Sequence, residues 1–255
     1  MQIVIPMAGL GKRFSDAGYT VPKPLVPIDG VPMIVRVLGD LPSATRIICV
    51  VHPKHVADDA IDKLLQDAIP SCHIVVTPGL TEGQACTVRL AADKLEQGES
   101  VLVAACDNTH LFDRGSWDRL TEQKDLECVV WTYRGEPRVL AHPEWFGWVE
   151  TQDDGSIQRI SVKKPISPNP INDHVVSGTF WFRDAKRMIE RIDQLVASNV
   201  RVNNEFYMDS IPNLIVDAGL KSQVFEVDKY IGWGSPEDLN DYLRWSAYFR
   251  MVSAQ

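Results

Sequence analysis

Short, continuous apolar runs alternate with amphipathic stretches through the first half of the chain. Ile3–Ile5, Ile47–Val51, His73–Val76 and Val101–Ala105 are runs of the first kind. Between them the spacing predicts a helix from about Pro32 and a second from Lys54 to Ala68, where Val56, Ala60, Ile61, Leu64 and Leu65 recur at helical intervals. A third helix is expected around Ala85–Leu95, ending near Gly98. Strands that are apolar on both faces and joined by helices imply a mostly parallel sheet covered on both sides. In such sheets ligands gather beyond the carboxyl ends of the strands. Met7–Arg13, Thr77–Gly83 and Cys106–His110 each follow a strand directly, so these three loops should line one crevice.

The pattern changes after Trp145. Trp148–Thr151, Ile157–Val162 and Val176–Phe182 read as strands, punctuated by Asp153-Asp154-Gly155 and the proline-rich Pro165–Pro170 loop. Helices are expected around Ala185–Ser198 and Glu205–Gly219, and a last one from Pro236, with Ser235 as N-cap and Asp238 in its first turn. No linker composition separates the parts. The expectation is one α/β domain over 1–255, with a first half at about 1–140 and a β-rich second half at about 141–255.

Composition narrows the partners. The 255 residues are 45% hydrophobic and 24% charged with a formal net charge of −8, and no basic stripe of the kind nucleic-acid binders carry is present. No apolar run approaches the roughly 20 residues needed to span a bilayer, and the chain enters a strand at once. Cys49, Cys72, Cys86, Cys106 and Cys128 are scattered without a CxxC pair, as reduced core thiols are. A soluble cytoplasmic protein is expected, with small anionic substrates, no nucleic acid and no membrane. Homo-oligomerisation is left open.

The chemistry concentrates in Ile3–Pro27. A glycine-rich loop containing Ala8, Gly9 and Gly11 lets backbone approach an anion closely. Lys12 and Arg13 follow, then a lysine framed as Pro22-Lys23-Pro24, whose prolines restrict where its amine points. This reads as a phosphate cradle, but of neither common kind. A dinucleotide fingerprint needs glycine where Phe14 stands, and a Walker loop needs a hydroxyl where Arg13 follows Gly11-Lys12.

The run MAGLGKRF followed by PKPLVPIDGVPMI resembles the opening of the sugar-phosphate nucleotidyltransferases, the nucleoside-diphosphate-sugar pyrophosphorylases. The likeness continues through Thr81–Ala85, Ala105–Asn108, Phe146–Glu150, Lys163-Lys164-Pro165 and Trp233–Leu239. It implies a Rossmann-like, GT-A-like fold and nucleotidyl transfer from an NTP to a small phosphorylated acceptor, with Mg²⁺ as cofactor. Residue by residue, it implies that Arg13 neutralises the triphosphate and that Lys23 meets the α-phosphate and its attacker. Asp107 would bind magnesium, and Gly83 with Gln84 would read the base. Gly147, Lys164 and Glu205 would hold the acceptor. Among bases the resemblance leans to CTP, through the smaller members that make surface-polysaccharide precursors, with UTP or dTTP as rivals.

Two positions depart from the family pattern. Lys163 replaces a glutamate that reads sugar hydroxyls, which points to a more anionic acceptor. Gly232 stands where many members carry a second magnesium-binding acid, leaving Asp228, Glu205 or Asp209 as substitutes. Two other classes compete. A GT-A glycosyltransferase would use Asp107 in a DxD pair, but position 105 is Ala. A non-catalytic nucleotide sensor would not need both Arg13 and Lys23.

Overall fold

The computed structural model describes residues 1–253. From the N-terminus come β1 (Gln2–Met7), α1 (Lys12–Asp16), a ribbon of β2 (Pro27–Ile28) and β3 (Val31–Pro32), α2 (Met33–Asp40), β4 (Arg46–Val51), α3 (Pro53–Asp59), α4 (Ile61–Ala68), β5 (Cys72–Val76), α5 (Gln84–Arg89) and β6 (Val101–Val103). There follow β7 (Asn108–Leu111), α6 (Arg114–Thr121), β8 (Leu126–Tyr133), β9 (Gly147–Thr151), β10 (Ile157–Val162), β11 (His174–Phe182), α7 (Ala185–Ser198), α8 (Ile211–Asp217), β12 (Lys221–Glu226), β13 (Lys229–Gly232) and α9 (Pro236–Ser253).

Nine of these strands form one mixed sheet. One side of it is parallel, in the order β6-β1-β4-β5. Strand β11 runs antiparallel to β6 and β8, and β12 then pairs parallel with β8. The hairpin β9–β10 attaches to the first residues of β11, through His174↔Val149 and Val175↔Trp148. The register of β11 slips between Val176 and Phe180, across Gly178 at φ 87°. A bulge of this kind bends a strand and re-aims its neighbours. Here it lets β11 leave β9 and join β6, and the side-chain amide of Asn108 donates to the Ser177 carbonyl at 3.0 Å to satisfy the freed backbone.

Side chains alternate between two cores. From β8, Val129, Trp131 and Tyr133 enter one, and Cys128 and Val130 the other. Trp131 is fully buried among Phe112, Trp117 and Phe225, with ring centroids 4.7–5.3 Å away. This aromatic knot lies under the far half of the sheet and braces β8, α6 and β12 together.

The parallel core, the hairpin after Trp145, and helices α7 and α9 are as the hydrophobic pattern predicts. Ser235 caps α9, its hydroxyl accepting from the Asp238 N–H at 3.2 Å. Several boundaries differ. The helix expected over Lys54–Ala68 is two helices, broken where Ala60 turns left-handed at φ 49° so that His55 in α3 and Ile61 and Leu65 in α4 are each buried. The helix expected to Leu95 stops at Arg89 and resumes as a 3-10 turn over Ala92–Lys94. The one expected from Glu205 starts at Ile211, because Glu205 is bridged to Val202 and Phe206 is held by backbone bonds to the 82–85 loop. Strands β7, β8, β12 and β13 and helix α6 fall outside the predicted elements.

Trp131→Ala should lower stability by about 3–5 kcal/mol, as large aromatic truncations in closed cores do. Chemical denaturation measures it; a loss under about 1 kcal/mol would mean that the knot is not a structural support.

Candidate active site

The cradle is built against the end of β1. Gly11 adopts the left-handed region at φ 61°, and a Cβ there would lie 2.9 Å from that of Lys23. Only glycine lets the loop pass so close. Phe14, the residue that breaks the dinucleotide pattern, is 1% exposed, packs edge-on to Tyr19 at 5.0 Å and lies beneath the Lys23 ammonium at 5.7 Å. Ala8 is buried, whereas Gly9, Lys12 and Arg13 are exposed.

Pro22 is extended and Pro24 opens a 3-10 turn, so the chain around Lys23 has little freedom. The Lys23 ammonium is directed to the carboxylate of Asp107 and, at 3.3 Å, to the Gly234 carbonyl. Burial acts to lower the Lys23 pKa, but the Asp107 charge and hydrogen bond outweigh it and the net shift is upward. The lysine is therefore held charged. Asp107 follows β6, and its own carbonyl accepts from the Trp233 N–H at 2.7 Å. Three strand ends, those of β1, β6 and β13, thus meet at one ion pair.

Gly232 has a steric cause. A Cβ at this position would come within 2.8 Å of the Tyr230 ring, which stacks on Tyr133 at 4.2 Å with the planes 11° apart. No acid fits while that stack is in place. Among the described residues no group of three acidic, histidine or cysteine side chains stands close enough to hold a metal. Glu205 and Asp228 are exposed. Asp209 is committed elsewhere, its carboxylate against Gly147 with no room for a side chain there.

The 82–85 loop is fixed by the segment it packs on. Phe206 N donates to Glu82 O at 2.8 Å, and Ala85 N to Phe206 O at 3.0 Å. At Gly83, φ is 122° and a Cβ would meet the Phe206 backbone at 2.6 Å. The hydroxyls of Thr81 and Thr87 both donate to the Gly83 carbonyl, at 3.1 and 3.2 Å. Gln84 opens α5, and Glu205 sits beside Gly83.

Across the cavity from Asp107, Lys163 adopts φ 62°, unusual for a side-chain-bearing residue. Its N–H donates to Phe146 O at 3.0 Å and its ammonium to Trp145 O. Burial lowers its pKa, with Arg13 adding to the effect and Asp209, Glu205 and Glu144 opposing it. Burial raises the pKa of Asp209, and Lys163 offsets only part of this. The Lys164 side chain is exposed. A cavity of about 240 Å³ gathers Arg13, Asp107 and Lys163 with the aromatic rings of Tyr133, Trp145, Phe146 and Tyr230. Ala8, Gly9, Gly11, Lys12, Lys23, Gly83, Gln84, Gly147, Lys164 and Glu205 are not part of its wall; Gly11 and Lys23 line a separate cavity of about 410 Å³. Tyr133, Arg138 and Tyr230 escaped sequence reasoning; the signal was the apolar run Leu126–Tyr133, whose carboxyl end reaches the crevice. A larger cavity of about 690 Å³, between Met1, Arg114 and Arg183, opens at the amino ends of the parallel strands and holds none of these groups.

A glycine cradle at the end of the first parallel strand, with a lysine and an aspartate converging on it, is suited to receive phosphates. The MobA-like NTP transferase domain matches residues 3–199 of this sequence. The chain belongs to that family. It is 26% identical over 233 residues to the bifunctional protein GlmU of Desulfotalea psychrophila, covering 88% of this chain and 62% of that one. With the GlmU of Clostridium acetobutylicum it shares 20% identity over 203 residues, 73% of this chain and 43% of the other. The chain spans 43% and 62% of the length of these two curated relatives. Its fold is that of a nucleoside-diphosphate-sugar pyrophosphorylase from Vibrio cholerae RC9, at TM-score 0.76 and 24% identity over 95% of this chain and 99% of that one. An inositol-1-phosphate CTP transferase from T. maritima has the same fold, at TM-score 0.71 and 16% identity over 95% and 94% of the two chains.

Gly83→Ala should reduce thermal stability and nucleotide affinity together, since the added carbon meets backbone and the φ is strained. Gly9→Ala, with nothing within 4 Å of its Cβ, should leave stability within about 0.5 kcal/mol. Equal melting temperatures for the two variants would show that the 82–85 loop is not built on Phe206.

Proposed function

We propose that this NTP transferase moves a nucleotidyl group onto a small phosphorylated acceptor and releases pyrophosphate, making an activated precursor for surface polysaccharide. CTP is the nucleotide we place first. The observation that carries the reading is the charged Lys23, aimed by two prolines at the carboxyl end of β6 and already partnered there by Asp107. In the reaction an acceptor phosphate oxygen forms a bond to the α-phosphorus while the bond to the bridging oxygen of pyrophosphate breaks. No covalent work falls to the protein; placement and charge supply the rate.

Each residue then has a part. Lys23 exchanges its Asp107 contact for the α-phosphate, where negative charge grows. Arg13, exposed at the cavity's edge, receives the triphosphate. Asp107, freed of Lys23, would hold magnesium, an ion that keeps several waters and is commonly bound by one or two carboxylates together with substrate phosphates; Glu136 and Asp238, on the same cavity wall, are paired with Arg138. When bound, the ion neutralises charge on the departing pyrophosphate. Gly83 and Gln84 face the base, and Gly147 and Glu205 border the acceptor side. Lys164, exposed beside that opening, meets the acceptor phosphate.

Lys163 sets the acceptor class. An ammonium in place of a carboxylate attracts a second anionic group and gives a neutral hexose phosphate no matching acid. The preferred acceptor therefore carries a phosphate or phosphoramidate together with a further anionic or strongly polar group.

The test is pyrophosphate release across CTP, UTP, ATP, GTP and dTTP, each with phosphorylated sugars, amino alcohols and amino acids. The proposal expects turnover with one NTP, CTP ahead of UTP and dTTP, and an anionic acceptor ahead of glucose 1-phosphate. Lys163→Glu should raise the acceptor KM at least tenfold and leave the NTP KM nearly unchanged. Glucose 1-phosphate as best substrate would refute the role given to Lys163, and no pyrophosphate from any pair would refute nucleotidyl transfer.

A further inference from the structure

Arg13 and Lys163 reach the cavity from opposite halves of the sequence, yet one residue touches both. The Arg13 guanidinium lies over the Trp145 indole, its central carbon 4.1 Å from the ring centroid. The Lys163 ammonium donates to the Trp145 carbonyl. The indole is itself stacked on His142, 4.0 Å away with the planes 9° apart. Its turn is anchored in the core: Trp148 is fully buried, and its indole N–H donates to the Pro143 carbonyl at 3.0 Å. Trp145 N–H closes the turn on His142 O at 3.0 Å. The exposed first turn of α1, which carries Arg13, thus leans on a ring held by a turn anchored in the core.

Stacking fixes the plane of a guanidinium without using its donors. All five N–H groups stay at the edge of the plane, in the fork that matches phosphate oxygens. Among the described residues the Arg13 side chain makes no ion pair or hydrogen bond, so the indole is what orients it. Without that contact a long, exposed side chain would be ordered only when the nucleotide arrives, at a cost to affinity.

We propose that Trp145 is a positioning residue, whose indole presets the Arg13 guanidinium in the orientation that receives the nucleotide's triphosphate. The inference rests on the nucleotidyl-transfer reading. Trp145 is 38% exposed, so truncating it opens no closed core cavity. The contact from its carbonyl to Lys163 survives any substitution, which isolates the effect of the ring.

The experiment is calorimetric titration of the full chain with magnesium tripolyphosphate, a triphosphate with no base or sugar. Trp145→Ala should weaken binding about 3- to 30-fold, the span of a cation–π contact from exposed to desolvated, and Trp145→Phe should stay within about threefold of the parent. The decisive arm is the double variant: in an Arg13→Ala background, Trp145→Ala should add nothing. If Trp145→Ala binds like the parent while Arg13→Ala does not, the positioning role is overturned and nucleotidyl transfer stands. A full additional loss in the double variant also overturns it, because Trp145 would then support the loop by packing alone. If Arg13→Ala itself binds normally, Arg13 is no triphosphate ligand, and both this proposal and its part in the reaction fail.

Discussion

The ion pair between Lys23 and Asp107 is the constraint on which the rest of the site depends. Each partner is half-buried, where an unpaired charge is expensive and where removing one member strands the other. The pair closes only if three separate segments arrive together. The cradle must pass Lys23 closely enough to need Gly11, the loop after β6 must place Asp107, and the β13–α9 turn must bring Gly234 O to the same ammonium. The parallel strands supply that convergence by ending on one side of the sheet. The pair keeps the lysine charged and its position fixed; in the proposed reaction it is the resting arrangement that a substrate phosphate replaces.

The acceptor side is governed by a different constraint, the exclusion of side chains by aromatic rings and a buried acid. The Tyr133–Tyr230 stack occupies the space that a side chain at Gly232 would need, and Asp209 fills the space above Gly147. These glycines are therefore consequences of what surrounds them. Gly232 and Lys163, the two positions that depart from the expected family pattern, border the same cavity, whose aromatic walls carry Lys163, Arg13 and Arg138 beside Asp107, Glu136 and Asp238. The charge at Lys163 is the physical ground for expecting an acceptor unlike a plain sugar phosphate.

What the sequence disclosed follows from how local each signal is. The cradle, the framed lysine and the strand-end aspartate are contiguous motifs, and the parallel strands are runs of apolar residues. The break at Ala60 was hidden because its left-handed turn lies inside an unbroken helical period. Strand β8 is as apolar as β1 but went unassigned, and with it Tyr133 at the mouth of the cavity. The link between Arg13 and Trp145 crosses more than a hundred residues and depends on where the β9–β10 hairpin attaches to β11. No periodicity encodes that attachment; the slip in β11 at Gly178 does, and it is visible only in three dimensions.

The central claim, that Lys23 acts on charge that develops during transfer, is tested most directly by Lys23→Ala. The measurement is single-turnover rate against nucleotide dissociation constant, with the best NTP and acceptor. Loss of one preorganised electrostatic contact costs about 10²–10³ in rate, so the rate constant should fall by that factor while nucleotide affinity changes by less than about tenfold. A rate within a few-fold of the parent, with the loss appearing in affinity alone, would contradict the account.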